Sequence, residues 1–342
     1  MYQGCINVCI KFFESYLNER TQQVQIGSAY SSQKIIKYGV PQGSIIGPLL
    51  FVIYINDLPL SIKNYKTELY ADDTTLHRSG KDIQDIQAKV QDDLQNVEQW
   101  CKHNNMFINI DKTKCMTIGT KQRLQSISSP PSLLINSSTL QNSDCKKLLG
   151  VRIDNNLTWK NQIDHLCKCI SSRIHLLTKI KEFLNNNTRN AYYNGYILPL
   201  IDYCCILWGG CGTDQLSRVI KLQKRAARVI LDADPLAPSE PLFKQLGWMT
   251  VDMRIKYHKY LLMHKIINSK APIYPKNMFS DNLYQLRNNA IEKLYVPKPN
   301  IELYKHSFLY SGSVLWNDLP MSLHNVANYN LFKTKIKKFL NK

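Results

Sequence analysis

Residues 68–76 read ELYADDTTL, in which apolar and β-branched residues flank two adjacent aspartates. Such runs on either side of a short polar centre are typical of two strands joined by a tight turn. The pattern predicts a β-hairpin with Asp72 and Asp73 at its tip. Neighbouring carboxylates repel each other, and a divalent cation supplies the compensating charge. Hard carboxylate oxygens at such a turn favour Mg²⁺.

A second motif precedes this hairpin in the chain. Residues 39–43 read GVPQG, which predicts a rigid turn. A helix is expected to follow, with Ser44 near its cap and Pro48 in its first turn, where a missing N–H has little cost. Residues 49–55 are apolar at every position, so we expect this helix to be buried rather than amphipathic.

A strongly amphipathic helix is predicted after the hairpin. Asp82 is predicted to cap an amphipathic helix. The pair Asp92 and Asp93 falls on the predicted solvent-facing side of that helix, and we assign it no role. Strand signals become rare after about residue 155, and proline-rich sequence near residues 234–241 marks a second boundary. We therefore expect an α+β protein.

The composition indicates which class of binding partner and which cell compartment to expect. The formal net charge is +18, from 44 Lys and Arg against 26 Asp and Glu, which favours a polyanion such as nucleic acid or an acidic membrane surface. The longest apolar run, residues 45–55, is too short to span a membrane. Lys11 and Glu14 interrupt the apolar residues of the N-terminus, so no signal peptide is predicted. Ten cysteines without such a signal indicate reduced thiols in the nucleus or cytoplasm.

A basic stripe is predicted on one helix within residues 212–231. At about 100° per residue, five cations fall on one arc and apolar residues occupy the remaining populated face. The five cations are Arg218, Lys221, Lys224, Arg225 and Arg228. Two interpretations remain open, a solvated face of an ordinary amphipathic helix and a surface that follows the phosphates of a duplex.

The ordered motifs resemble those of reverse transcriptases, in particular those of non-LTR (LINE-type, jockey-like) retrotransposons. Residues 70–74, YADDT, are similar to the catalytic hairpin of that family, and residues 39–51 with 54–59 are similar to its Pro-Gln-Gly block. Three further blocks follow in the order of the family. They are Trp100 with 109–114 for the next palm block, 148–151 with 154–159 for the primer grip, and 307–308 with 315–320 for the C-terminal region.

This resemblance implies an RNA-directed DNA polymerase that acts on an RNA template, a DNA primer and deoxynucleotides with two Mg²⁺ ions about 3.5–4 Å apart. It implies a partial polymerase palm, an antiparallel sheet with helices, in residues 1–155. A helical thumb in 156–235 and a mostly helical C-terminal extension in 236–342 are implied to follow. The implied site residues are Asp72 and Asp73 at the metal, Lys112 near the leaving pyrophosphate, Gln42 and Gly43 in the nucleotide pocket, and Leu149 and Gly150 at the primer end.

One family feature is absent from the sequence. The metal cage of such enzymes includes a third carboxylate on an earlier strand, but residues 1–56 contain no aspartate. Their acids, Glu14 and Glu19, fall on or just after the first predicted helix. We therefore expect an N-terminally truncated reverse transcriptase, without the fingers, that lacks useful polymerase activity. The alternative is a noncatalytic nucleic-acid-binding remnant that grips a duplex through its basic thumb.

Overall fold

The structure is a computed structural model that describes residues 2–64, 66–279 and 293–341. The chain divides into two compact units, which are unit 1 (Met1–Cys115 and Pro131–Gln141) and unit 2 (Met116–Pro130 and Asn142–Lys342). Both units contain helices and short antiparallel strands, which confirms the α+β fold class. The three-part division at residues 155 and 235 stays a prediction.

Unit 1 combines three helices with short strands in its described residues. The helices are α1 (Tyr2–Leu17), α2 (Gly47–Ile55) and α3 (Ile83–His103). The strands are β1 (Arg20–Gln22), β2 (Gln25–Ile26), β3 (Ala29–Tyr30), β4 (Lys34–Ile36), β5 (Lys66–Tyr70), β6 (Asp73–His77), β7 (Lys114–Cys115), β8 (Leu134–Ile135) and β9 (Ser138–Thr139), and β10 (Gln141–Asn142) begins at the last residue of the unit. Antiparallel pairs form between β1 and β4, β2 and β3, β5 and β6, and β8 and β9.

A small apolar core joins the β5–β6 hairpin to α2 and α3. Leu69 and Leu76 from the hairpin pack on a cluster that contains Ile55 of α2 and Val97 of α3. A second cluster lies between α3 and the β8–β9 pair, with Leu94 at its centre. The shared core places the hairpin beside the helix that follows the GVPQG turn.

The prediction that α2 is buried was wrong. Leu49 is 59% exposed and Ile53 is 63% exposed, although the helix is apolar on every face as its sequence indicated. Only the side that carries Phe51 and Ile55 packs on the small core. Within the described residues of unit 1, too little of the chain surrounds α2 to cover its remaining sides.

Helix α3 confirms one prediction and corrects another. Asp82 caps it, since its carboxylate accepts the backbone N–H of Gln84 at 3.0 Å. Asp93 was predicted to face solvent but is fully buried. Its two carboxylate oxygens accept the backbone N–H groups of Lys63 and Asn64 at 3.0 and 2.9 Å. Asp93 therefore holds the loop that precedes β5, a structural role that the local helical pattern does not reveal.

Unit 2 is mainly helical. Its elements are α4 (Lys121–Gln125), β11 (Cys145–Leu148), β12 (Val151–Asp154), α5 (Lys160–Ile180), α6 (Asn186–Tyr192), α7 (Leu198–Asp202), α8 (Cys205–Trp208), α9 (Thr213–Leu231), α10 (Ser239–Leu246), α11 (Val251–Ile267), α12 (Ile273–Asn277), α13 (Glu302–Lys305), α14 (Phe308–Asn317), α15 (Met321–His324) and α16 (Tyr329–Leu340). The strands β11 and β12 form an antiparallel hairpin. Among the helices described here, none combines the length and the apolar character needed to cross a membrane.

Two apolar clusters fill unit 2. The larger one lies between α5, α9 and the short helices α7 and α8, where Trp208 is fully buried and donates its indole N–H to the Tyr203 carbonyl at 2.9 Å. The other lies between α11, α14 and α16 around Phe332. Since these helices bury their apolar faces against one another, unit 2 has a closed core.

A buried arginine ties together the C-terminal ends of α5 and α9. Arg189 donates to the carbonyl of Lys181 at 2.7 Å and to that of Ile230 at 3.0 Å. Its guanidinium also contacts the Asp232 carboxylate at 2.5 Å. Hydrogen bonds from Lys181 and Arg189 lower the pKa of Asp232. The end of α9 is therefore fixed by partners outside the helix.

Candidate active site and nucleic-acid interface

The predicted hairpin forms between β5 and β6, and its tip carries the two aspartates. The register pairs Tyr70 with Asp73, so that Ala71 and Asp72 are the two turn residues. Ala71 has a φ of 51°, in the left-handed region that costs a non-glycine residue about 1–2 kcal/mol. Strained backbone of this kind is often found where a turn presents functional groups.

The two faces of the hairpin differ in what they contact. Leu69 and Leu76 point towards the core, because side chains alternate along a strand and their partners in the register share that face. Tyr70 and Asp73 are paired on the opposite face, and both are exposed. Asp72 at the turn is exposed as well. The hairpin thus holds both carboxylates in open solvent on a backbone anchored from behind.

The donors at this tip fit a magnesium site only in part. Carboxylate oxygens are the ligands that Mg²⁺ prefers, and Asp72 and Asp73 supply them. In the portion of the chain that the structure describes, no group of three or more acids, histidines or cysteines comes close enough to hold a metal ion. Among the described residues, no third side chain therefore joins Asp72 and Asp73 to complete a metal cage.

The GVPQG turn requires glycine for its backbone angles. Gly39 and Gly43 have φ of 80° and 83°, which only glycine adopts without strain. A Cβ atom at Gly43 meets nothing within 4 Å, so the angle rather than crowding demands glycine in this structure. Gln42 and Gly43 are both exposed, as a role in a nucleotide pocket requires.

Contacts on both sides hold this turn. Arg20 donates to the Gly39 carbonyl at 2.5 Å. The Ser44 hydroxyl accepts the backbone N–H of Gly47, the first residue of α2, at 3.1 Å, and lies 2.5 Å from the Tyr16 hydroxyl. Ser44 therefore lies at the start of the helix as predicted. Sequence reasoning missed Arg20 and Tyr16, since no local pattern links them to the turn.

Lys112 lies in a separate turn of unit 1. Its backbone N–H donates to the Asn109 side chain at 3.0 Å, and its side chain is exposed. Unit 1 thus contains five of the predicted site residues, which are Gln42, Gly43, Asp72, Asp73 and Lys112. The remaining predicted residues belong to unit 2.

The predicted primer-grip residues form the turn of the β11–β12 hairpin. Leu149 and Gly150 have φ of 44° and 86°, between the paired residues Leu148 and Val151. The Tyr203 hydroxyl donates to the Leu149 carbonyl at 2.5 Å. A Cβ atom at position 150 would lie 3.2 Å from the Tyr203 ring, so both angle and space demand glycine. No local pattern in the sequence indicates that Tyr203 braces this turn.

Helix α9 is amphipathic as predicted. Its inner face is fully buried at Val219, Ala226 and Ile230. The opposite arc carries the five predicted cations, of which Arg218, Lys221 and Arg225 are exposed and Lys224 and Arg228 are half-buried. The helix therefore separates an apolar face, seated in the core, from a basic face.

The five cations of α9 differ in their partners. Arg218 forms an ion pair with Asp164 at 2.6 Å, which offsets its charge. Arg228 donates to the carbonyl of Ala237 at 2.8 and 3.0 Å but contacts no carboxylate in the described chain. Lys221, Lys224 and Arg225 likewise form no ion pair with any described residue. Four positive charges on this face thus have no acidic partner among the described residues.

A cavity of about 530 Å³ adjoins the C-terminal end of the basic face. Arg225, Arg228 and Lys181 line it, together with Asp232. Asp232 is already engaged by Lys181 at 2.6 Å and by Arg189. The lining of the cavity therefore carries a net positive charge, to which the two arginines of α9 contribute.

A comparison with known protein families finds the same family that the motifs resemble. Residues 5–153 match the family described as reverse transcriptase (RNA-dependent DNA polymerase). This match includes the GVPQG turn, the acidic hairpin and the β11–β12 turn. Residues 5–153 are thus similar to reverse transcriptases.

Relatives from flies support this relationship. The chain is 27% identical to the probable RNA-directed DNA polymerase from transposon BS of Drosophila melanogaster, over 72% of this chain and 28% of that protein. It is 25% identical to the RNA-directed DNA polymerase from mobile element jockey of the same species, over 64% of this chain and 25% of that protein. The chain thus spans about a quarter of the length of these relatives. No solved structure matches it significantly.

Proposed function

We propose that this chain forms part of an RNA-directed DNA polymerase of a non-LTR retrotransposon. The observation that carries the proposal is the shared core of unit 1, which joins the GVPQG helix to a hairpin with two exposed aspartates. Its substrates are an RNA template, a DNA primer and deoxynucleotides. In this proposal residues 1–155 form a partial palm, residues 156–235 a thumb and residues 236–342 a C-terminal extension.

Each predicted residue has a role in this proposal. Asp72 is a metal ligand, and Asp73 shapes the charge of the tip from the neighbouring position. The exposed Gln42 and Gly43 line the nucleotide pocket, and Lys112 offsets charge on the departing pyrophosphate. Their open side chains and rigid turns support these roles. Leu149 and Gly150, on a turn braced from behind, hold the primer end.

We further propose that residues 1–342 alone do not extend a primer. Nucleotide addition joins the primer 3′-hydroxyl to the α-phosphate of the incoming nucleotide and releases pyrophosphate, and bound metal ions stabilise both oxygens. Among the described residues, no third side chain lies close enough to Asp72 and Asp73 to share a metal ion with them. Two adjacent carboxylates hold a divalent ion weakly and leave its position poorly defined.

A primer-extension assay with the purified chain tests this expectation. We expect no template-dependent incorporation with Mg²⁺, both for the natural sequence and for Asp72→Asn. Incorporation by the natural sequence that disappears in Asp72→Asn would disprove the inactivity while supporting the assignment of Asp72. Incorporation that persists in Asp72→Asn would overturn both the role of Asp72 and the proposed site.

Nucleic-acid binding without catalysis is the second candidate function. It is favoured by the four cations on α9 that have no acidic partner in the described part of the chain, and by the cationic cavity beside them. Phosphate neutralisation by such residues releases counterions, so binding weakens as salt concentration rises.

Charge reversal on α9 tests this second function. We expect the double variant Lys221→Glu and Lys224→Glu to weaken binding to all duplex sequences alike. The slope of log affinity against log salt should fall by about two, the number of phosphate contacts removed. The matched control is Lys333→Glu with Lys335→Glu, which makes the same charge change on exposed residues of α16. Equal losses in the two double variants would assign the binding to net charge rather than to α9.

A further inference from the structure

A lysine of α11 is buried with no counter-charge from the residues that the structure describes. Lys259 is only 7% exposed, and no carboxylate of the described chain forms an ion pair with it. Its ammonium donates to the Ser311 hydroxyl of α14 at 2.8 Å. That hydroxyl donates in turn to the Ser307 carbonyl at 2.8 Å, so it serves Lys259 only as an acceptor. Two of the three ammonium N–H groups are left without a partner among the described residues.

This arrangement is costly unless something further approaches the ammonium. A buried charge is tolerated when it is paired and hydrogen-bonded, and one neutral hydroxyl meets only part of that requirement. Burial lowers the pKa of Lys259, as expected for an ammonium removed from water. An anion placed beside the ammonium restores both the missing charge and the missing acceptors.

Space for such an anion lies in a cavity that Lys259 and its hydrogen-bond partner Ser311 both line. Lys259 and Ser311 line a cavity of about 310 Å³ between α8, α9, α11 and α14. Its other polar side chains are Lys256, Asp252 and Tyr310. Two lysines and one aspartate give the lining one net positive charge, which suits a singly charged ligand.

We propose that this cavity binds a singly charged phosphate group through Lys259. A phosphate offers more acceptor oxygens than a carboxylate, which suits an ammonium with two unused N–H groups beside a second lysine and a tyrosine. The group is either free phosphate or a phosphodiester of a nucleic acid. The site is separate from the acidic hairpin and does not depend on the polymerase assignment.

Thermal unfolding of the full chain tests the proposal. A ligand that binds only the folded state raises the melting temperature. We expect inorganic phosphate and dimethyl phosphate to do so relative to chloride at equal ionic strength, and acetate to have a smaller effect. Lys259→Met should reduce the apparent phosphate affinity by about tenfold or more, since it removes a charged donor. The control Lys244→Met removes an exposed lysine of α10 and should leave the affinity unchanged.

The melting temperature measured without phosphate provides a second readout. Because Lys259→Met replaces an unpaired buried charge with an apolar chain of similar length, its melting temperature in chloride should equal or exceed that of the natural sequence. If the methionine variant does not fold, Ser311→Ala replaces it, and we expect a several-fold loss of phosphate affinity from the unanchored ammonium. Equal stabilisation by phosphate in the natural sequence and in these variants, or none in the natural sequence, would overturn the proposal.

Short oligonucleotides distinguish the two sources of phosphate. If a phosphodiester is the ligand, a single-stranded oligonucleotide should compete with dimethyl phosphate. Lys259→Met should then weaken binding of the oligonucleotide as well. If free phosphate is the ligand, the oligonucleotide should not compete. Either result supports a phosphate site in this cavity, provided that Lys259 is required for binding.

Discussion

Helices α2 and α9 are opposite cases of the relation between apolar sequence and burial. Helix α2 is apolar on every face, yet Leu49 and Ile53 lie mostly in solvent. Helix α9 carries many charges, yet Val219, Ala226 and Ile230 on its apolar face are fully buried, and the helix packs on α5 and α10. An apolar residue is buried only where the surrounding chain provides a partner surface. The comparison therefore distinguishes an open surface in unit 1 from a closed core in unit 2.

The largest expected effect concerns the closed core of unit 2. Trp208→Ala should lower the free energy of unfolding by about 3–5 kcal/mol, because it leaves a cavity and removes the indole bond to the Tyr203 carbonyl. Urea unfolding followed by circular dichroism measures the loss. Phe183→Ala is the matched control, since Phe183 is exposed in the same unit, and it should change stability by less than about 0.5 kcal/mol. Similar losses for both would contradict the closed core.

The thiols report the same contrast through their ionisation. Desolvation raises the pKa of Cys205 to about 12 and that of Cys211 to about 11, whereas Cys9 of unit 1 is exposed. Since the thiolate is the reactive form, a raised pKa keeps the buried thiols protonated and inert until the pH approaches these values. Alkylation at about pH 8, followed by peptide mass spectrometry, should label Cys9 at least about a hundredfold faster than Cys205. Comparable rates in the folded chain would show that the core opens readily, and urea should equalise them.

The two glycine turns extend the comparison to the candidate site. Gly150→Ala should cost about 2 kcal/mol, since the left-handed angle strains alanine and its Cβ presses on the Tyr203 ring. Gly43→Ala should cost about 1 kcal/mol, because the angle strains alanine there but the space is open. Urea unfolding of both variants measures the difference. An equal cost would mean that Tyr203 does not brace the β11–β12 turn.

Local chemistry explains which features the sequence predicts. The Asp82 cap, the acidic hairpin and the amphipathic α9 depend on residues close together in the chain, so patterns and motif resemblance located them. Contacts between distant residues were not predictable in this way. Tyr203 reaches Leu149 across 54 residues, and Lys259 reaches Ser311 across 52. The prediction that α2 is buried was wrong for the same reason, because burial depends on whether distant segments of the chain cover the helix.

The smallest expected effect tests the open surface of α2 directly. Leu49→Gln should change the free energy of unfolding by less than about 0.5 kcal/mol, because Leu49 is mostly in solvent and both residues favour helices similarly. Ile55→Gln is the control on the same helix, since Ile55 is buried in the small core, and it should destabilise the chain by at least about 2 kcal/mol. Urea unfolding at low protein concentration compares the two. A loss in Leu49→Gln as large as that in Ile55→Gln would mean that α2 is covered in solution, and the contrast with α9 would no longer hold.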